Sequence, residues 1–516
     1  VVSSVNIETR EYIVNAKSLF QRVEVKSKVS PLDDIQIIGY GQTTRRNKTG
    51  AVSTVKSDVI DRQSITNPLQ AIQGRVAGVS ITQTSGAIGS GMEIRIRGVN
   101  TIEAGDQPLY IVDGAVMPDQ NRGLGTAVGS YMLLGSTTMN NINPADIESI
   151  EILKDADATA IYGSRGANGV VLISTKKAKL GSTKFNFDVN TWANTSTYLP
   201  PRMNIFEYLT MRRDAFAMGN HNPTTGVAIN PITPTAANAP DLISWDQIFA
   251  TTDWVKYEFG NRAPAVNAQA NLSGGDKKLS FYASAGYFKQ ADITRGSPNL
   301  ERSSVSLSVN HTSNNDRFKL AFSTSFTVTN LRPSRGGGSG GLLQSMPPNM
   351  PMRNADGTPW WPLPSITQNS LLLNPLAVEE ARTVNSTNNL IANLDISYRI
   401  LPGLIFKTQF GYNEQQRINQ TTTPSSAINP LNPGTTIPNA GWSKAVFTSI
   451  NIEPQLSYTT KLGLGKVDML LGSTFFDRKN TNNSLSLDGF TSDLLLQSWA
   501  AATSISGRSN SSNIYR

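Results

Sequence analysis

Cysteine is absent, and histidine occurs only at His221 and His311. Without thiols neither a disulfide framework nor a thiolate metal site can be built. With two separated histidines, a zinc site or a histidine-based triad lacks its usual parts. Both histidines read as solvated loop residues. Asp and Glu occur, yet no pair sits in a motif with a defined partner, so no catalytic residue, metal or cofactor is expected. Charged residues make up only 16% of the 516, low for a water-soluble chain of this size. No run approaches the roughly 18 apolar residues of a membrane-spanning helix, so an integral membrane form would have to be a barrel. The net charge of +8 raises nucleic acid as a partner. The basic residues are scattered, however, with no run longer than Arg45-Arg46 or Lys176-Lys177 and no basic-aromatic platform, so nucleic acid is not expected. The chain opens VVSSVN without Met or an apolar leader, the beginning expected of a mature or trimmed product.

What is present centres on Pro108 to Lys176, which begins PLYIVDG and closes NPADIESIEILKDADATAIYGSRGANGVVLISTK. The apolar spacing predicts strands at Leu109–Val112, Ile150–Leu153 and Val170–Thr175. Asn143 as cap and Pro144 at the first helical position predict a helix start. A short helical piece over about Asp157 to Tyr162 ends at Gly163, and Gly166 and Gly169 allow tight turns. Upstream, Asn67 and Pro68 start another helix, with Leu69, Ile72 and Val76 at helical spacing before Gly78. Val79 to Thr82 and Met92 to Arg97 read as strands. The run SGAIGSG (85–91) lacks a Lys-Ser/Thr partner and opens a strand, so it is not a nucleotide loop. Arg95 and Arg97 fall on one strand face, to meet either carboxylates of a surrounding wall or solvent. This is a small α+β module without catalytic equipment.

Beyond Lys179 the texture changes to period-2 alternation. In KFNFDVNTW (184–192), Phe185, Phe187 and Val189 oppose Asn186, Asp188 and Asn190. In SVSLSVN (304–310), Val305, Leu307 and Val309 oppose serines. The same split recurs at 266–273, 279–288, 317–329, 390–398, 404–412, 446–458 and 467–476, about nine runs near the length of a tilted membrane strand. Short links at Gly274–Lys277, Thr312–Asp316 and Ile400–Gly403 alternate with long ones at 193–265, 330–389 and 413–445. Outer-membrane barrels have this asymmetry, and a β-sandwich gives no reason for it. The first long link contains an amphipathic helix over 203–218, and 331–364 is an irregular Gly/Pro-rich loop.

The run QGRVAGVSITQTSGAIGSGMEIRIRG, followed by the motifs of 108–176, closely resembles the plug domain of SusC/RagA-like TonB-dependent outer-membrane transporters. That resemblance implies an α+β plug followed by an all-β transmembrane barrel of ~22 antiparallel strands. Only about nine are legible, so the chain is expected to be the first half of a longer protein. The domains expected are the end of an N-terminal β extension (1–30), a TonB box-like segment (31–42), the plug (43–179) and the N-terminal part of the barrel with long extracellular loops (180–516). The resemblance places the TonB box at Asp33, Asp34, Ile35, Gln36, Ile37 and Ile38, a β-prone stretch able to add to a foreign sheet edge.

The function implied is active import of a glycan or peptide oligomer, driven by a TonB-type energy transducer that pulls on this segment. The protein would lie in the bacterial outer membrane, in contact with its lipid, the plug accessible from the periplasm, with a SusD-like surface lipoprotein as partner. The alternative is a non-energised plugged receptor or assembly component. Substrate contacts are expected in the glycine-rich plug loop 119–141, at Asn121, Arg122 and Tyr131. Trp360 and Trp361 could stack on sugar rings or pack the loop, and Trp192 suits an interfacial girdle.

Overall fold

The computed structural model of the chain describes residues 52–99, 107–117, 138–155, 160–178, 180–221, 228–245, 251–333, 346–361, 374–430 and 437–515, isolated positions excepted, and four short strands nearer the N-terminus. Those four are β1 (Val2–Ser4) paired with β2 (Ile7–Arg10), and β3 (Ile35–Ile38) paired with β4 (Gly41–Thr44).

The module follows with β5 (Val52–Lys56), α1 (Ser57–Ile60), β6 (Val79–Gln83), β7 (Met92–Ile96), β8 (Leu109–Val112), β9 (Ala115–Val116), β10 (Ile147–Leu153) and β11 (Val170–Thr175). Five of these strands form one sheet in the order β5-β10-β11-β8-β9, while β6 and β7 pair separately. The apolar runs of β10 and β11 belong at its centre. Ile147, Ile150, Ile152, Leu153, Val170, Val171 and Ile173 are buried, and β-branched side chains suit a pleated surface covered on both faces. β11 runs parallel to β8, with Val170 opposite Leu109; the other pairings are antiparallel.

The expected helix starts are present, but each yields only a 3-10 turn: Pro68–Ile72, closed by a capping box between Asn67 and Gln70, and Pro144–Asp146, capped by Asn143. The piece near Tyr162 is likewise 3-10, Ala160–Gly166, kinked at Gly163. Gly169 sits at φ +90°, where a Cβ would press on the Ile96 side chain and the Leu153 carbonyl. The two arginines meet carboxylates of the module itself: Arg95 pairs with Glu93 at 3.4 Å, and Arg97, which leaves the strand at φ +59°, pairs with Asp155.

The remainder is one large antiparallel sheet, the wall. Its first strand is β12 (Gly181–Asn194). Between β12 and the next wall strand come α2 (Ile205–Met218), β13 (Asn220–His221), β14 (Ala228–Ile229), α3 (Pro240–Ile243) and α4 (Trp254–Phe259). Then follow β15 (Ala263–Gly275), β16 (Leu279–Ala291), β17 (Asn299–Thr312), β18 (Phe318–Arg332), α5 (Pro375–Glu380), β19 (Arg382–Leu401), β20 (Leu404–Thr423), β21 (Asn439–Leu462), β22 (Gly465–Gly472), β23 (Phe475–Asp488) and β24 (Ser504–Tyr515). Eleven strands belong to it, paired in sequence order except that β22 and β23 share one side of β21 end to end. This architecture, an α+β module followed by a long meander, is that of a plugged barrel.

Several expectations need correction. The run 467–476 is broken at Ser473 and Thr474 into β22 and the start of β23, and β24 is an additional strand. The link 413–445 is mostly strand, because β20 and β21 extend over 20 and 24 residues and leave only 424–438 between them. His311 lies in β17, not in a loop, with its ring 6.3 Å from that of Phe318. Helix α2 forms where expected, with an Asn204–Glu207 capping box. It is only weakly amphipathic, since it buries Ile205 and Leu209 but exposes Phe206, Met211 and Met218.

Candidate functional site: the interface between module and wall

Alternation divides the wall into two chemically different faces. Phe185, Val305, Leu307, Phe326 and Ile450 are exposed on the outer face. On the inner face Ser304, Ser306, Thr327, Asn389, Gln415 and Ser449 are buried. Cross-strand register carries this split from strand to strand: Ser304 lies opposite Thr327, Thr327 opposite Asn389, and Asn389 opposite Gln415. The inner face covers the module, since Ile391 of β19 belongs to the module's own hydrophobic core.

The attachment is concentrated at the turn before β10. Asp146 is 4% exposed, and its carboxylate accepts hydrogen bonds from three neighbouring wall strands. Its Oδ1 accepts from Ser284 at 2.6 Å and Gln269 at 3.1 Å, and its Oδ2 from Ser306 at 2.9 Å. Burial pushes this carboxyl above the ordinary carboxylate range, against the opposing pull of the hydroxyls of Ser284 and Ser306. Beside it Asn143 donates to Gln269 at 2.9 Å and to Ser304 at 3.1 Å. The wall reaches back through Arg302, which is 3% exposed and donates from one nitrogen to the carbonyls of Thr66, Asn140 and Ile142 at 3.0 to 3.3 Å. Its guanidinium lies 5.3 Å from the centre of the Phe288 ring.

Farther along the wall, three neutral side chains donate to module backbone, and the Arg165 guanidinium of the module lies 4.3 Å from the centre of the Phe476 ring. Gln409 donates to the carbonyl of Asp113 at 3.0 Å, Asn451 to that of Gly114 at 3.1 Å and Ser449 to that of Val116 at 3.0 Å. At the rim that carries the long links, Asp292 accepts from the Ile88 amide at 2.7 Å. Nearby lies a cavity of about 910 Å³ lined by Trp192, Arg262, Asp292, Arg295 and Glu379. Glu258 of α4, 4% exposed, is pushed up to about 7, first by burial and then by the charge of Glu379.

Of the residues singled out from sequence, Ile35, Gln36, Ile37 and Ile38 form β3. Asp33, Asp34, Asn121, Arg122 and Tyr131 lie outside the described residues. Trp360 is half-buried and packed edge-on against Trp245, centroids 5.3 Å apart, in a loop core with Trp254, Met346 and Met350. That is the packing use of the ring. Trp361 is partly buried beside it. Trp192 is no outward girdle residue: it packs on Phe288, 6.1 Å between centroids, in a cluster that includes Ile88 of the module. Sequence reasoning missed Asp146 and Arg302. One signal was available, because Arg302 occupies the serine phase of an alternating run and therefore points inward.

Comparison with known proteins agrees with this geometry. The family model described as TonB-dependent Receptor Plug Domain matches residues 44–170. TonB-dependent receptor P39 of Formosa agariphila is 32% identical, over 83% of this chain and 37% of its own length. TonB-dependent receptor SusC of Bacteroides thetaiotaomicron is 28% identical, over 96% of this chain and 47% of its own. Among solved structures, the RagAB peptide importer in its open-open state superposes with a TM-score of 0.73 at 24% identity, over 93% of this chain and 53% of that one. The chain thus spans about half or less of the length of these relatives. A plug seated against the inner face of an antiparallel membrane sheet defines an outer-membrane receptor barrel. Within that class the chain carries a TonB-dependent receptor plug over residues 44–170 and is similar in sequence to SusC and other TonB-dependent receptors.

Proposed function

We propose that the protein actively imports a glycan or peptide oligomer across the outer membrane, with the plug displaced by tension on residues 33–38. The observation that carries this reading is the seating of the plug. It is held to the wall by hydrogen bonds around Asp146 and Arg302, so in a closed barrel it would fill the lumen and have to be moved by work. A barrel wide enough for an oligomer would leak if left open. No nucleotide energy source lies outside that membrane, so the work must arrive mechanically from the periplasmic side. The structural neighbour RagAB is a peptide importer, which supports an oligomeric cargo, and the partner proposed with it is a SusD-like surface lipoprotein. Deleting Asp33 to Ile38 should abolish energised uptake while leaving substrate binding at the cell surface intact. Uptake that survives the deletion would favour a passive plugged receptor.

A further inference from the structure

Two arginines share a row of the wall's inner face. Cross-strand pairing runs from Arg302 to Thr329, from there to Thr387, and on to Arg417 of β20. Arg302 is engaged by carbonyls of the plug. Arg417 is partly buried, and among the described residues it has neither a hydrogen bond nor an ion pair. It stands nearer the Thr423 end of its strand, which leads toward the long links, than the Leu404 end.

The adjoining row, in the middle of the sheet, is unsatisfied in the same way. Thr327, Asn389 and Gln415 lie opposite one another in succession, and each is at most 1% exposed. Among the described residues the Thr327 hydroxyl and both amide atoms of Asn389 and of Gln415 have no hydrogen-bond partner. A buried polar atom left unpaired costs about 1–3 kcal/mol, and an apolar side chain would seat the plug better. Groups kept at such a cost point to a partner outside the chain.

Charge gives that partner its sign. Glu414 turns to the outer face and accepts from Tyr412 at 2.6 Å. On the inner face Asp395 and Glu453 flank Gln409, about 26 Å back along β20, and Asp488 reaches Thr423 through Asn439, about 20 Å onward. A second cation is closer to hand: Arg478 lies over the ring of Phe447 at 5.2 Å, and Phe447 is opposite Gln415. Among the described residues of these strands, then, no inward carboxylate stands beside Arg417. A free guanidinium presents a planar fork that matches a carboxylate. Gln415 stands about 7 Å along the strand from Arg417, and Asn389 about 5 Å across from Gln415, so a short oligomer spans all three.

We propose that this stretch of β19 and β20 is a binding site for a carboxylate-bearing oligomer, with Arg417 pairing the carboxylate and Gln415 and Asn389 serving adjacent hydroxyls or amides. This rests on the import reading and names the class of its cargo. A uronic acid glycan and an oligopeptide both carry that chemistry.

Equilibrium dialysis on the full-length protein tests the site with two probe pairs: trigalacturonate against its methyl ester, and tetra-alanine against its C-terminal amide. At least one acid should bind about tenfold or more tighter than its neutral counterpart, and Arg417→Met should remove that preference while Arg417→Lys keeps part of it. The pair that discriminates identifies the source. Gln415→Met should weaken acid and neutral probe alike, by about threefold, and leave the plug at least as resistant to protease in urea as the unmodified protein. Acids that bind no better than their neutral counterparts, or not at all, overturn the proposal. So does a preference that survives Arg417→Met, or a plug that Gln415→Met loosens, since the amide would then be serving the fold. An acid that binds in this way but is not taken up by energised cells overturns the import reading and leaves the site standing.

Discussion

At the scale of single residues, the plug is held by a few buried polar groups whose neighbours come from distant parts of the chain. Arg302 serves three carbonyls at once. Arg302→Met leaves those buried acceptors without their donor, at a cost of about 2–5 kcal/mol. The expected outcome is a plug that is cleaved by protease at lower urea than the unmodified protein. Arg295 pairs with Glu379 at 3.0 Å but is more exposed, so Arg295→Met should cost under about 1 kcal/mol by the same assay. Glu258 makes a pH-dependent contribution. Its folded pKa, about 7, lies above the ordinary value of 4.5, so its proton is bound more tightly in the folded loop. The stability it contributes is therefore complete below about pH 4.5 and lost as the pH rises through about 7. Hydrogen exchange at Trp254–Phe259, corrected for intrinsic rates, should be slower at pH 5.5 than at pH 8, and Glu258→Gln should flatten the difference.

At the scale of elements, alternation made the wall legible because lipid on one side and the plug on the other force every second residue to a different chemistry. β17 shows this most plainly. Leu307→Arg should cost about 2–4 kcal/mol in bilayer-reconstituted unfolding if it lies near the midplane, whereas Ser306→Val removes a bond to Asp146 without touching lipid. β24 was not legible, since SISGRSNSSNIY carries too few apolar residues to mark a face. The ends of β20 and β21 were missed for a related reason. They run on past the apolar band as polar strands held by ladder pairing, with Asn413, Gln415 and Asn419 buried on the inner face. The helix starts in the plug were legible from Asn-Pro pairs, though each gives only a 3-10 turn. The turn between β8 and β9 is a further test. Gly114 adopts φ +98°, and an added Cβ would overlap the Gln409 amide that donates to Asp113. Gly114→Val should destabilise this turn by about 1–3 kcal/mol, seen as faster exchange across residues 109–117.

At the scale of the whole molecule, the class was legible from one long plug motif joined to repeated alternating strands, each insufficient without the other. The candidate site was legible only in part. Asn143 was visible as a cap, but its bonds to Gln269 and Ser304 join residues more than a hundred positions apart, and no local pattern encodes that register. Trp360 was visible as an aromatic in a loop, and only the fold shows it packed on Trp245. The central claim is that the wall turns its apolar face to lipid and encloses the plug on the other. Nitroxide labels at Leu307→Cys and Ser308→Cys in the full-length protein, reconstituted in bilayers, test it most directly. The label at 307 should relax rapidly with oxygen and slowly with a water-soluble nickel chelate, and the label at 308 should be immobilised and shielded from oxygen. Equal access of the chelate to both positions, or the opposite pattern, would contradict the account.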